Sequence, residues 1–326
     1  MNLSRRPLTL TLTLALAGAL LAAPLTWSSA VLAEEPAQVR FSVPAWPGVT
    51  VKTALAAQLL ETLGYEVSQE ELGSTITYEA LTQGELDAFL AAWLPGQQGM
   101  YETTMEKEVL VDLGNNVDGA RLGFAVPTYV YEAGVTSAED LADEEFAEKL
   151  ERTIYSIEVG SGMSEILNGA VDDDTYGLGD WTLSETSTPG MLSAVDSALD
   201  REEWIVFAGW TPHWMNIEYD VRYLEDPEDM WGPDQGRSDV KTLVTTDFSE
   251  SNPNATRLLD QLVFSADDQS AMILGFSYEE REPEEVALQW LRDNPERVEA
   301  FLEGVTTRDG EPAWPLVQQA LEIPDA

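Results

Sequence analysis

Three times along this chain a short strand-like run ends near a tryptophan set among proline and glycine residues. The first is the alternating segment 39–43, followed by Pro44-Ala45-Trp46-Pro47-Gly48. The second is the apolar run 87–93, which ends in Trp93 and breaks at Leu94-Pro95-Gly96. The third is the apolar run 205–208, expected to break at Gly209 before Trp210-Thr211-Pro212-His213-Trp214. Short runs bounded in this way read as buried strands. Ligands of α/β sheets bind beyond the carboxyl ends of the strands, so Trp46, Trp93 and Trp210 are placed to converge on one crevice. Plain core packing is the competing use of such rings.

The rest of the chain alternates strand and helix. Residues 49–63 carry apolar side chains at helical spacing and stop at Gly64. Strands are expected at 65–67, 122–130, 153–159, 180–183 and 239–245, the last crossing back into the first half. Ser137-Ala138-Glu139-Asp140 reads as a capped helix start. After strand 153–159, Gly160-Ser161-Gly162-Met163 leads into an apolar helical run at 166–171. Such a turn leaves backbone N–H groups free to meet an anion. Further helices are expected at 189–199, 254–264, 267–274, 283–294 and 295–301, several with Asp, Asn or Pro at their starts. Two alternating groups predict an α/β fold of two lobes. Lobe one takes residues 34–122 and 228–326, and lobe two residues 123–227.

Composition narrows the chemistry. Arg5 and Arg6 followed by an apolar run make residues 1–33 a secretory signal peptide, and no later segment is apolar enough to span a membrane. Cysteine is absent, which removes disulfides, thiol chemistry and a lipid anchor at the cut. The single histidine, His213, leaves no His-based metal site or Ser-His-Asp triad unless it serves itself. No catalytic residue, metal or cofactor is expected. The net charge is −42, more negative still once Arg5 and Arg6 leave. Repulsion excludes nucleic acid and anionic membranes as partners. The acidic runs are spread along the chain and read as a solvated surface suited to high salt, where the screening length falls to roughly 3 Å at 1 M.

Several electron-rich ring faces around one cavity suit a quaternary ammonium. Such a cation donates no hydrogen bond, and cation–π attraction supplies ~2 kcal/mol per desolvated ring. At this point the sequence resembles the glycine betaine/proline betaine and choline substrate-binding proteins of ABC importers. The resemblance is carried by VPAW, by GELDAFLAAWLPGQQGMYE (84–102), by AVPTYV with SAEDL behind it, by IEVGSGMSE (157–165), and by GWTPHWMN with YLEDP. It implies a two-lobed periplasmic binding protein fold with a ligand cleft between the lobes. The partners it implies are a betaine-type small molecule, a membrane permease and, through it, an ATPase. The protein would be exported and would touch the membrane complex only peripherally.

The resemblance also implies roles. Trp93 and Trp210 match cage tryptophans of the family, and Trp46 matches one that choline binders carry near the mature N-terminus. Where glycine betaine binders often place a tryptophan, this chain reads Gly-Ser-Gly-Met at 160–163. Where choline binders place an aspartate for the hydroxyl, it has Gly48, which favours a ligand with its own carboxylate. The family's extra cage tyrosine falls near Leu122. Donors for an anionic end would be the N–H groups of Gly48 and Val49, or of Ser161, Gly162 and Met163, with the Ser161 hydroxyl and His213. His213 serves equally as a structural hydrogen-bonder beside the turn. Trp181, Trp204, Trp214, Trp231, Trp290 and Trp314 read as packing. The alternative function is an exported carbohydrate-binding or carbohydrate-active protein, since tryptophans also stack on sugars. A glycosidase would need two facing carboxylates, whereas these tryptophans sit among Pro, Gly, Ala and Thr.

Overall fold

The apolar runs become strands, and the strands sort into two sheets. The computed structural model describes residues 37–307 and 310–324, so the expected signal peptide lies outside the described residues. In chain order the strands are β1 Gln38–Ser42, β2 Glu66–Glu70, β3 Ala88–Leu94, β4 Leu110–Asn115, β5 Val117–Asp118 and β6 Arg121–Pro127. There follow β7 Thr153–Ser156, β8 Thr182–Glu185, β9 Val206–Thr211, β10 Val221–Tyr223, β11 Asp239–Thr245 and β12 Phe264–Ser265. One sheet has the order β2-β1-β3-β11-β4, the other β10-β6-β9-β7-β8, and β5 pairs with β12 apart from both. The chain thus builds most of the first sheet, then all of the second. It returns through β11, which runs antiparallel between β3 and β4 as expected for 239–245.

Helices cover the sheets. In Pro47–Thr62, Pro47 occupies a first-turn position that needs no N–H, and eleven of its sixteen residues are buried. It packs against the strands on one side and the helices Ala266–Ile273 and Pro283–Asp293 on the other. Phe41, Phe89, Phe124 and Phe207 are fully buried in the sheets, each contributing about 1.5–3 kcal/mol on removal from water. Ser137 forms a full capping box with Asp140, as its spacing predicts. Among the described residues no helix is long and apolar enough to cross a membrane.

Four expectations change. Strand 122–130 ends at Pro127, and Thr128–Glu132 is a short helix. Pro127 has no N–H to continue the ladder, and Thr128 turns away to bond Asp220. Strand 153–159 stops at Ser156, and helix 254–264 stops at Gln261, leaving Phe264 to pair in β12. The run 205–208 does not break at Gly209: β9 continues through Trp210 to Thr211. Gly209 lies opposite Gly123 because the Tyr223 ring covers both. A Cβ would fall 3.0 Å from the Tyr223 hydroxyl at Gly209, and 2.9 Å from its ring at Gly123.

Candidate functional site

Each of the three tryptophans reaches the seam between the lobes by its own local route. Trp46 precedes the helix Pro47–Thr62 in extended conformation (φ −111°, ψ 127°). Trp93 is the penultimate residue of β3, opposite Val240 of β11. Trp210 stands in β9 opposite Leu122 of β6. Both β3 and β9 then turn at prolines, Pro95 and Pro212, each preceded by a cis peptide bond.

The three rings line a single cavity together with Gly48, Val49, Ser161, Gly162 and Met163. Leu122, Ile157, Pro212 and Val240 extend its apolar wall. Its volume is about 60 Å³. Its lining includes no carboxylate.

Two helices begin at this cavity, one from each lobe. The N–H groups of Gly48 and Val49 belong to the first turn of Pro47–Thr62, which has no side-chain cap. In helix Gly162–Asp172, Ser161 is the cap, its Oγ accepting from the Ser164 N–H at 3.1 Å. Among the described residues, the N–H groups of Gly162 and Met163 and the Ser161 O–H have no partner. Both helix starts carry partial positive charge. The cavity therefore has ring faces suited to a cation and a second region suited to an anion.

Three polar side chains in the lining escaped the sequence reading. Gln97 is satisfied by Tyr78, Ser74 and the Ala91 carbonyl. Gln269, from helix Ala266–Ile273, donates to the Gly48 carbonyl at 2.7 Å, and its Oε1 is buried without a partner among the described residues. Lys52 is 1% exposed, and its Nζ donates to Asn116 Oδ1 at 2.5 Å. Burial pushes its ammonium from the ordinary 10.5 to about 7. A signal was present: Lys52 is the one charged residue among the first fourteen of its helix.

His213 does not line the cavity. It is fully buried, its Nδ1 accepts from the Met215 N–H at 3.1 Å, and its ring packs against Trp210 at 4.7 Å and Trp214 at 5.3 Å. Burial lowers its pKa from 6.5 to about 3, so it is neutral. Of its two expected uses, the structural bond beside the turn is the one seen. Trp181, Trp214, Trp231 and Trp290 are buried in the core and Trp204 stacks on Phe146, while Trp314 packs half-buried at its edge.

Three contacts join the lobes beside the cavity, among others elsewhere along the seam. Trp46 Nε1 donates to Glu158 Oε1 at 2.5 Å. Gly96, after β3, meets Gly162 backbone to backbone: a Cβ on Gly162 would lie 2.7 Å from the Gly96 carbonyl carbon. Trp214 Nε1 donates to Ser277 Oγ at 3.3 Å, and its ring lies 4.8 Å from that of Tyr278.

Comparison with known proteins agrees with this geometry. The family described as the substrate binding domain of ABC-type glycine betaine transport systems matches residues 37–293. A glycine betaine/carnitine transport binding protein (GbuC) of Listeria monocytogenes is 32% identical over 178 residues, 55% of this chain and 58% of the relative's length. Among solved structures, an ABC-transporter choline binding protein in complex with choline superposes with a TM-score of 0.83. It is 32% identical, over 87% of this chain and 98% of the other. Lactococcal OpuAC, closed around glycine betaine, gives a TM-score of 0.73 at 28% identity, over 81% of this chain and 99% of the other.

Proposed function

The chain belongs to the family of substrate-binding domains of ABC-type glycine betaine transport systems, and on that premise we propose that it captures a betaine-type zwitterion between its lobes for a membrane permease. The observation that carries this reading is the convergence of Trp46, Trp93 and Trp210, from both lobes, on one small cavity. Ring faces attract a quaternary ammonium that no hydrogen-bond donor can serve. The N–H groups of Gly48, Val49, Gly162 and Met163, with the Ser161 hydroxyl, face its carboxylate. The lobes, 34–122 with 228–326 against 123–227, close over the ligand. A ligand touching both at once stabilises the closed form only by that difference in contacts. The closed form is what the permease and its ATPase receive. The signal-like residues 1–33 support export, and hence a periplasmic site of action.

The family to which the chain belongs is one of transport substrate-binding domains, which supports binding as the activity. The carbohydrate-active reading lacks the two facing carboxylates a glycosidase needs, since the cavity lining includes none. The test is a thermal-shift and calorimetric panel of glycine betaine, proline betaine, carnitine, choline and several oligosaccharides. Stabilisation by glycine betaine or a relative is the expected result. Stabilisation by a sugar alone overturns the assignment.

A further inference from the structure

We propose that Lys52 meets the anionic end of the ligand and makes the cavity select a zwitterion over a cation with an uncharged tail, such as choline. The inference rests on the betaine reading above and deepens it.

Lys52 lines the cavity while being almost fully buried. An ammonium has three donors, and among the described residues only one is used, toward Asn116 Oδ1. The Asn116 amide cannot rotate to offer more. Its Nδ2 donates to the Leu90 carbonyl at 3.0 Å and to Thr242 Oγ1 at 2.8 Å, which fixes the oxygen toward Lys52. Two ammonium donors are left over. In a chain with 59 acidic residues, Lys52 takes part in no ion pair among the described residues, whereas Lys149 and Lys241 both do.

Position completes the case. Lys52 stands four residues after Gly48 and three after Val49, on the same face of the helix. Helical side chains lean toward the N-terminus, which directs the Lys52 side chain toward the end of the helix that carries the first-turn N–H groups. A carboxylate arriving there satisfies the two spare donors and holds in its charged form an amine that burial alone lowers to about 7. Choline brings a hydroxyl and no compensating charge. The polar feature suited to that hydroxyl is the unpartnered Gln269 Oε1, and Lys52 opposes its use by adding a second positive charge to the cavity.

The test is calorimetric titration of the full chain with glycine betaine and with choline, in wild type, Lys52→Met and Lys52→Gln. Lys52→Gln removes the charge while retaining an amide donor for Asn116, so it serves if the methionine variant folds poorly. The expected result is a loss of about 30-fold or more in glycine betaine affinity, with choline affinity unchanged or raised. A parallel fall for both ligands assigns Lys52 a structural role and overturns the proposal, as does unchanged glycine betaine affinity. If wild type binds neither ligand, the betaine reading itself fails, which is a separate result.

Discussion

Trp46 and Glu158 stand 112 residues apart in sequence and are joined across the lobe seam, the indole Nε1 donating to the carboxylate at 2.5 Å. The same ring that walls the cavity is therefore oriented by the opposite lobe, and its donor is used only when the lobes meet. Removing the acceptor with Glu158→Leu should weaken ligand binding by about 1.5–3 kcal/mol, the range for a hydrogen bond to a charged group. Calorimetry measures this. Melting of the unligated protein should scarcely change, and a large fall there would place Glu158 in folding instead of closure.

The contact between Gly96 and Gly162 gives a sharper prediction. Gly162→Ala introduces a methyl 2.7 Å from the Gly96 carbonyl carbon, in rigid backbone on both sides. Gly162 is the first residue of its helix, where alanine is accommodated. The variant should fold normally yet close incompletely, losing affinity by about tenfold or more, roughly the 1–3 kcal/mol typical of overpacking. Small-angle scattering with saturating ligand should show a more open shape than wild type.

The tryptophans themselves can be ranked. Trp93→Ala and Trp210→Ala should each weaken binding by about 1–3 kcal/mol. Trp210→Ala should also lower the melting temperature, because Trp210 supports the buried His213 ring at 4.7 Å. Trp93 is only half-buried and should cost less stability. Unchanged affinity in both variants would remove the cage.

Acid should destabilise the protein partly through His213. Its pKa is about 3 when folded and 6.5 ordinarily, so between those values the unfolded chain binds the proton and the folded chain does not. Stability is therefore lost as pH falls from about 6.5 toward 3. His213→Asn keeps an acceptor near the Met215 N–H without the titration. Its stability relative to wild type should rise through that window in urea unfolding followed against pH. A constant difference would mean that His213 does not titrate this way.

How much of this was legible beforehand depends on what set each feature. Trp46, Trp93 and Trp210 could be read because strand, ring and breaker are neighbours in sequence, and so could the first-turn donors beside Pro47 and Ser161. Lys52 could not be. A lysine inside a helix ordinarily faces water, and it is buried here because strands cover one side of its helix while Pro283–Asp293 covers the other. Gln269 reaches Gly48 across 221 residues, a proximity no local pattern encodes. Gly209 was misread as a strand end for a similar reason. The ring that requires a glycine there belongs to Tyr223, on a strand that pairs with β6. His213 was half legible: its place beside the turn was plain, but which way its ring faced was a matter of tertiary packing.

Two glycines meeting with nothing between them make a hard stop. Under the closure proposed above, the lobes would approach until main chain touches main chain, and the backbone there, not side-chain packing, would fix the width of the closed cleft. The device works as a caliper. On that reading, a solute too tall for the gap would keep the jaws apart however well its charged ends are satisfied, and size would be judged at the moment of closing.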